Sequence, residues 1–187
     1  MIIIGITGTI GAGKGTIVDF LVEKHGFNHL SVRQFLIDNL EEKGEPINRD
    51  TMVKLANELR AANKPSYITD CLYQQALSSG KNCIIESIRT PGEIYSLKEA
   101  ENFYLFAVDA FPETRFQRIK IRNSETDSID FETFVENEKR EMTSTNPNHQ
   151  NLKKCIELAD FVFDNNGTIA DLHLQIKEVI TKIQENL

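Results

Sequence analysis

The sequence has 187 residues, of which 40% are apolar and 26% charged, and its formal net charge at pH 7 is −7. This size and composition predict a single globular domain over 1–187 with an ordinary hydrophobic core. An acidic chain without a basic stripe argues against a nucleic-acid polymer as partner, and no apolar run is long enough for a membrane span. Three separated cysteines indicate a reducing, cytoplasmic setting, and the oligomeric state stays open.

The first predicted element is a buried strand at 2–6, followed directly by a glycine-rich turn and the start of a helix. The turn reads Gly8-Thr9-Ile10-Gly11-Ala12-Gly13-Lys14-Gly15-Thr16. Glycines let backbone N–H groups point inward around a phosphate chain, the helix N-terminus adds partial positive charge, and the lysine reaches the outer phosphates. The sequence therefore predicts that 8–16 bind a nucleotide and that Lys14 is catalytic as well.

Strands and helices alternate along the rest of the chain. Four more strands are predicted at 27–32, 83–85, 103–108 and 161–163. The predicted helices lie at about 17–25, 35–40, 49–62, 66–78, after Pro112 and at 172–183. This alternation predicts an α/β three-layer sandwich with a five-stranded parallel sheet. Segment 32–81 holds several predicted helices and no strand, although one helix would suffice to connect two parallel strands. We therefore interpret it as a helical insertion that binds an acceptor substrate.

The run Gly13-Lys14-Gly15-Thr16 departs from the general pattern, in which Ser or Thr directly follows the lysine. It resembles the Gly-Lys-Gly-Thr of adenylate kinases and other nucleoside monophosphate kinases. The resemblance implies a P-loop kinase that uses ATP with Mg²⁺, the metal held largely through water near Thr16. Over nearly the whole chain, the arrangement is most similar to the archaeal adenylate-kinase-like group and to deoxynucleoside monophosphate kinases.

Two residues near the third strand are candidates for metal and acceptor binding. Glu86 ends this strand, where an acidic residue orders the water shell of magnesium, although aspartate is usual in this family. Arg89 stands in a run that resembles the Asp-x-x-Arg segment of monophosphate kinases, whose arginine grips the acceptor phosphate, and the resemblance implies that Arg89 is both catalytic and acceptor-binding. A guanidinium fork matches phosphate oxygens well. The same resemblance implies acceptor binding by Arg33 and Arg60 in the helical insertion.

Three arginines follow Pro112 on one predicted helix, at 115, 118 and 122. Spacings of three and four place them on or near one face. The polar, acidic segment 123–130 comes next and is predicted to be mobile. Together they resemble the short lid of monophosphate kinases, here at about 115–142, which closes over the transferring group. The resemblance implies catalytic roles for Arg118 and Arg122, and a solvated basic face is the alternative.

A last motif lies at 159–168, in the strand and turn before the final helix. It resembles the Ala-Asp…Asn-x-Gly-Thr segment of dephospho-coenzyme A kinases and of an archaeal adenylate-kinase-like family. In such kinases this loop lies beside the donor adenine, which implies nucleotide contacts from Asn166 and Gly167, with Asn165 beside them. The four histidines are scattered and are interpreted as structural or surface residues.

These features predict an ATP-dependent phosphotransferase that moves the γ-phosphate of Mg-ATP onto a nucleoside or deoxynucleoside monophosphate. Two alternatives stay open. A dephospho-coenzyme A kinase would need a carboxylate to take the proton of a ribose hydroxyl. Asp38 and Glu86 are available for that, but the aspartate usual just past the second strand is not evident. A regulatory protein that binds ATP without catalysis would need neither the arginine helix nor the helical acceptor region.

Overall fold

In the computed structural model, which describes residues 1–122 and 129–185, a parallel sheet separates two layers of helices. The strands in those ranges are Ile3–Gly8 (β1), Asn28–Ser31 (β2), Cys83–Glu86 (β3), Phe103–Asp109 (β4) and Phe161–Asp164 (β5). Their order is β2-β3-β1-β4-β5, and every neighbouring pair is parallel. The predicted α/β three-layer fold with a five-stranded parallel sheet is therefore confirmed.

The helices of the described ranges divide between the two faces of the sheet. They are Lys14–His25 (α1), Val32–Lys43 (α2), Arg49–Ala62 (α3), Tyr67–Ser79 (α4), Pro91–Leu97 (α5), Pro112–Arg122 (α6), Phe131–Met142 (α7), Leu152–Glu157 (α8) and Ile169–Glu185 (α9). One buried cluster joins the sheet to α2–α5 and α8, and the other joins it to α1 and α9. Alternate strand residues belong to opposite clusters, so the inner strands are mainly apolar on both faces.

Polar caps explain where several helices begin. The Ser31 hydroxyl accepts a hydrogen bond from an amide in the first turn of α2. Asn48 and Thr51 form a reciprocal capping box at the start of α3, and Thr90 and Glu93 form one at α5. Such caps satisfy amides that have no partner inside the helix. They fix the starting positions of helices whose first residues face the cleft.

The predicted helical insertion at 32–81 consists of α2, α3 and α4. The sequence did not predict α5, α7 or α8. Two of these span only seven and six residues, too short to show a helical period, and α7 lies inside the predicted lid. The predicted mobile segment 123–130 includes 123–128, which lies outside the described residues. In the described part of the chain, no helix is both long and apolar enough to cross a membrane.

The carboxyl ends of the parallel strands share one edge of the sheet. β1 lies at the centre of that edge, between β3 and β4. Ligands of open α/β sheets bind in the crevice outside such carboxyl ends. The glycine-rich loop after β1 is therefore placed where a ligand site is expected.

Candidate active site

The loop that joins β1 to α1 takes backbone conformations that exclude side chains. Gly11 and Gly13 have φ angles of 75° and 108°. A Cβ atom on Gly13 would lie 2.2 Å from Nδ2 of Asn165, and one on Gly11 would lie 2.5 Å from the carbonyl oxygen of Arg115. Only glycine fits such positions. The loop backbone therefore packs closely against Arg115 and Asn165. The N-terminus of α1, the positive end of the helix dipole, faces the cleft.

Two side chains at the ends of β4 and β5 hold this loop from outside. Nδ2 of Asn165 donates to the carbonyl oxygen of Ala12 at 2.7 Å. The Thr9 hydroxyl donates to Oδ1 of Asp109 at 2.6 Å. Both hydrogen bonds connect the loop to residues at the edge of the sheet, so the sheet holds the loop in shape.

Lys14, the first residue of α1, folds back over the loop. Its Nζ donates to the carbonyl oxygens of Gly8 and Thr9, both at 2.9 Å. Burial of the ammonium, followed by the nearby charge of Arg89, lowers the pKa of Lys14 to about 7. An anion bound in the loop would favour the charged ammonium and raise this pKa.

Glu86 and Thr16 are the candidate magnesium residues, and Glu86 lies at the carboxyl end of β3. Its Oε2 is 3.1 Å from Nε2 of His29 on β2. Burial raises the pKa of Glu86, but the hydrogen bond to His29 and the charge of Lys14 outweigh it, so this pKa lies below its ordinary value. An ionised carboxylate and the Thr16 hydroxyl beside a phosphate loop fit Mg²⁺, which keeps several waters and binds phosphate oxygens. Elsewhere in the described ranges, no cluster of three or more His, Cys, Asp or Glu is arranged to hold a metal.

The chain reverses sharply after Glu86. Ser87 has a φ angle of 73°, in the left-handed region that residues other than glycine seldom adopt. The amides of Ser87 and Ile88 both donate to the carbonyl oxygen of Ile6 at 3.1 Å. This turn brings Arg89 to the wall of the cleft, and an unusual backbone conformation at that point is consistent with a binding site.

A cavity of about 380 Å³ lies between the phosphate loop and helices α2 and α3. Part of its wall is apolar and is formed by Val32, Leu36, Met52, Val53 and Ala56. Among the described residues, its charged lining has two glutamates, Glu86 and Glu141, and more cations, namely Lys14, Arg33, Arg49, Arg60, Arg89 and Arg122. In a chain of net charge −7 this excess of cations marks a site for an anion, and the apolar wall suits a flat or apolar group.

Arg89 and Arg49 share one carboxylate inside this cavity. Nη1 of Arg89 donates to Oε2 of Glu141 at 2.8 Å and to Oε1 of Gln150 at 2.9 Å. Arg49, the first residue of α3, pairs with the other oxygen, Oε1 of Glu141. Burial raises the pKa of Glu141, but the charges of Arg89 and Arg49 outweigh it and keep the carboxylate ionised. Two arginines from separate elements thus converge on a single anion.

The other two predicted acceptor residues line the cavity in different ways. Arg33 is exposed at its rim and has no hydrogen bond or ion pair within the described ranges. Arg60 is 2% exposed, and its guanidinium donates twice to Oε1 of the fully buried Glu93, at 2.8 and 3.2 Å. Arg60 therefore supports the cavity wall through an internal ion pair, whereas Arg33 remains open to a ligand.

The two predicted lid arginines on α6 face different parts of the cleft. Nη2 of Arg118 donates to the carbonyl oxygen of Asn165 at 2.8 Å, next to the phosphate loop. Its Nη1 is buried and has no hydrogen-bond partner in the described part of the chain. Arg122 lines the cavity on the side of Lys14. Arg118 thus lies beside the phosphate loop, whereas Arg122 lies at the cavity.

Helices α6 and α7 are joined by buried and aromatic contacts. Arg115 is 3% exposed, pairs with Oε1 of Glu138 at 2.7 Å and lies over the ring of Phe134. Phe116, Phe131 and Phe134 form mutual ring contacts with centroids 5.1 to 6.0 Å apart. These contacts link the helix with the lid arginines to the helix that ends near Glu141.

The turn after β5 uses its polar residues mainly for its own structure. Oδ1 of Asn166 accepts from the Phe111 amide at 2.8 Å. A Cβ atom on Gly167 would lie 2.8 Å from Oδ2 of Asp171, which also accepts from Thr168 at the start of α9. Asn165, and not its two neighbours, contacts the phosphate loop. Nucleotide contacts from Asn166 and Gly167 stay a prediction.

Sequence reasoning missed four residues of the cleft, namely His29, Arg49, Glu141 and Gln150. Arg49 follows the Asn48 cap and is thereby directed toward the cleft, a signal that the sequence does contain. Glu141 and Gln150 lie on segments whose sequence shows only surface polarity. They reach the site because α7 packs against α6 and α8, and the segment after it is bonded to the backbone of Arg89.

The parallel sheet, the phosphate loop and its lysine together define a P-loop NTPase domain. A family model described as an AAA domain matches residues 4–144. A UPF0200 protein of Methanococcus maripaludis is 31% identical over 186 residues, with 98% of both chains covered. One from Methanothermobacter thermautotrophicus is 30% identical over 186 residues, which cover 99% of this chain and 92% of the relative. The chain belongs to the AAA_18 family of AAA domains and to the UPF0200 proteins.

Solved structures with the same fold include kinases. TT1252 from Thermus thermophilus has a TM-score of 0.64 at 21% identity, with 97% of each chain covered. Shikimate kinase from Bacteroides thetaiotaomicron has a TM-score of 0.63 at 12% identity, with 96% of this chain and 98% of that enzyme covered. Dephospho-CoA kinase from Campylobacter jejuni has a TM-score of 0.58 at 17% identity, with 99% of this chain and 98% of that enzyme covered. At these identities the likeness concerns the fold alone.

Proposed function

We propose that this protein is a phosphotransferase that moves the γ-phosphate of Mg-ATP onto a nucleoside or deoxynucleoside monophosphate. One observation carries the proposal. The cavity beside Lys14 combines converging arginines with an apolar wall, and this pairing suits a small molecule that has both a phosphate and a base. A regulatory protein that only binds ATP would have no use for a second cationic cavity.

The donor side rests on the phosphate loop. Its glycine conformations and the N-terminus of α1 receive the phosphates of ATP, and Lys14 reaches the outer ones. Thr16 and Glu86 would hold Mg²⁺, which, when bound, neutralises charge on the donor phosphates. Arg118 lies beside Asn165 with a buried, unsatisfied N–H, so an acceptor atom of the nucleotide would complete its hydrogen bonding.

The acceptor side rests on arginines and on the wall of α2 and α3. Arg89, Arg49 and Arg33 converge on the acceptor phosphate, while the apolar wall packs against its base. Arginine suits this role because its planar fork binds two phosphate oxygens at once. Arg60 is assigned to the wall, since Glu93 already occupies its guanidinium.

Transfer then needs alignment and charge stabilisation more than proton removal. A phosphate oxygen of the acceptor is already an anionic nucleophile, so no strong general base is required. Lys14 and Arg122 stand where the two sites meet and stabilise the charge on the transferring group. Exclusion of water by the α6–α7 pair favours transfer to the acceptor over hydrolysis.

A hydroxyl acceptor, as in dephospho-coenzyme A kinase, fits this cavity less well. Such a reaction needs a carboxylate that takes a proton. Glu86 is held ionised by His29 and Lys14, with its pKa below the ordinary value, which makes it a weak base. Asp38 is exposed on α2 and accepts from the Gln34 amide group at 2.7 Å.

The proposal is tested with a phosphotransfer panel. The protein is given Mg-ATP with each ribo- and deoxyribonucleoside monophosphate and with dephospho-coenzyme A, and ADP release is compared with the rate without acceptor. We expect stimulation by at least one monophosphate and none by dephospho-coenzyme A. The reverse pattern would favour the hydroxyl-acceptor reaction. ATP binding without stimulation by any acceptor would favour the regulatory alternative.

A further inference from the structure

The carboxylate of Glu141 occupies the place in the cavity where an acceptor phosphate would bind. Its two oxygens are held by two different arginines, Oε1 by Arg49 and Oε2 by Arg89, the latter at 2.8 Å. The arginines come from the start of α3 and from the segment after β3, which are far apart in sequence. Two guanidinium groups that converge on one anion form the arrangement by which proteins bind phosphate.

In the described part of the chain, neither guanidinium forms an ion pair with any carboxylate other than Glu141. Arg49 pairs with Glu141, and Arg89 with Glu141 and the neutral Gln150. Their side chains are 23% and 27% exposed, whereas the side chain of Glu141 is 9% exposed. The carboxylate of Glu141 is thus buried between two more exposed cations. Without its charge, the two arginines would face each other as like charges.

We propose that Glu141 determines acceptor specificity by holding the Arg49–Arg89 site until a phosphate dianion replaces it. The inference rests on the proposed function and names the charge that an acceptor must carry. A neutral or singly charged molecule does not compete with the carboxylate, so it finds the two arginines already neutralised. Only a phosphate monoester offers more charge than the residue that it displaces.

Charge and geometry favour this exchange for a phosphate monoester. A carboxylate supplies one negative charge and two oxygens. A phosphate monoester carries a charge of about −1.5 to −2 at neutral pH and supplies three terminal oxygens. Release of Glu141 to the cavity mouth also restores water to a carboxylate that is now buried, and hydration of a buried ion is strongly favourable. A phosphodiester, with one charge and two free terminal oxygens, offers the arginines no more than the glutamate does.

A purely structural role for Glu141 predicts the opposite result. If the carboxylate only holds the two arginines in place for the ligand, its removal misaligns them and weakens phosphate binding. If it competes with the ligand, removal of its charge strengthens binding and admits weaker anions. The sign of the change in affinity therefore separates the two roles.

The experiment measures anion binding to Glu141→Gln and to the wild-type protein by titration calorimetry at pH 8. Mg²⁺ and a non-hydrolysable ATP analogue are kept saturating, so that the phosphate loop is filled. The probes are inorganic phosphate, a dianion at this pH, and dimethyl phosphate, a monoanion. We expect phosphate to bind the variant about tenfold more tightly, and the preference for phosphate over dimethyl phosphate to fall by about tenfold or more.

Glu138→Gln is the matched control. It makes the same change on the same helix, and Glu138 also pairs with an arginine, Arg115, at 2.7 Å, but it lies outside this cavity. Its anion preference should equal that of the wild type. If Glu141→Gln fails to fold, Glu141→Asp keeps the charge on a shorter side chain that cannot span both arginines. It should also bind phosphate more tightly.

Weaker phosphate binding in the Glu141 variants, or an unchanged preference, would overturn the inference. Because binding and not turnover is measured, this outcome is separate from that of the acceptor panel. A fall in preference in a protein that phosphorylates no acceptor would leave the role of Glu141 standing and refute the proposed reaction. If a monophosphate is phosphorylated in the acceptor panel but the Glu141 variant keeps the wild-type preference for phosphate, the proposed reaction stands and the role of Glu141 is refuted.

Discussion

The phosphate loop and the acceptor cavity are adjacent, but they are built in opposite ways. The loop is nine consecutive residues whose backbone makes the site, and its shape depends on glycine φ angles of 75° and 108°. The cavity is made of side chains from segments that extend from residue 10 to residue 150. Backbone sites leave a contiguous pattern in the sequence, whereas side-chain sites are assembled by the topology of the sheet.

The two sites also differ in the charges that they contain. The loop presents a helix N-terminus and a lysine whose pKa is lowered to about 7. The cavity already holds an anion of its own, Glu141, between Arg49 and Arg89. The loop therefore attracts a phosphate because it has no negative charge of its own. In the cavity, as proposed above, a phosphate has to replace the carboxylate of Glu141.

The largest effect is expected on the loop side, from Lys14→Ala. Loss of the ammonium should lower phosphoryl transfer by a factor of about a hundred or more. The fold should persist, because within residues 1–122 and 129–185 the Nζ atom bonds only to the carbonyl oxygens of Gly8 and Thr9. Turnover is measured as ADP release, and folding by circular dichroism. Lys24→Ala, an exposed lysine in the last turn of the same helix, is the control. Retention of more than about a tenth of wild-type turnover would contradict the role of Lys14.

A pair of neighbouring glycines tests whether the loop is truly a backbone site. Gly13→Ala places a Cβ atom 2.2 Å from Asn165 at a φ of 108°, so ATP affinity and the thermal midpoint should both fall. At Gly15 a Cβ atom meets nothing within 4 Å. Gly15→Ala should therefore leave the midpoint equal or slightly higher, since alanine favours a helix by about 0.5–1 kcal/mol. Equal loss of midpoint in both variants would show that backbone conformation is not the determinant.

On the cavity side, Arg89→Lys and Arg60→Lys should separate ligand binding from support of the wall. Arg89→Lys loses the planar fork, so the acceptor KM should rise about tenfold while the ATP KM stays nearly constant. Arg60→Lys disturbs a buried pair with Glu93 and should chiefly lower the thermal midpoint. Steady-state kinetics and thermal unfolding measure the two effects. If the effects were exchanged, Arg60 would belong to the acceptor site and Arg89 to the wall.

The smallest expected effect is proton uptake when ATP binds. Because the pKa of Lys14 is about 7, below its ordinary 10.5, the lysine is mostly neutral at pH 8. Bound phosphates raise this pKa, so up to one proton should be taken up at pH 8, and less below pH 6, where the lysine is already charged. Calorimetry in buffers of different ionisation enthalpy measures the uptake. Lys14→Met should abolish it, and equal uptake in that variant would assign the proton to another group.

Much of the fold was predictable because its signals are local. Apolar runs such as 2–6 and 103–108 mark strands that are buried on both faces, and the order of elements favours a parallel sheet. The helix predicted at 49–62 agrees with α3 as observed, since its asparagine cap and amphipathic pattern mark both ends. Helices α5 and α8 escaped prediction because they are only about two turns long or less.

The candidate site was predictable only where its residues are contiguous. Residues 8–16 form a recognisable motif, and Glu86 and Arg89 follow a strand that directs them to the cleft. Glu141 is one of several charged residues on α7, and only its tertiary contacts with Arg49 and Arg89 distinguish it. Likewise, the sequence cannot tell Arg33, at the cavity rim, from Arg60, buried against Glu93.

The hydrogen bond from Asn165 to Ala12 has a consequence for the synthesis of this protein. Its partners are separated by 153 positions in the chain. A ribosome completes the nucleotide motif at residues 8–16 early, but the side chain that steadies it emerges only when β5 has been made. A nascent or truncated chain that ends before residue 165 carries the whole motif without this support. The phosphate loop therefore gains this support only late in translation, after β5 has been made.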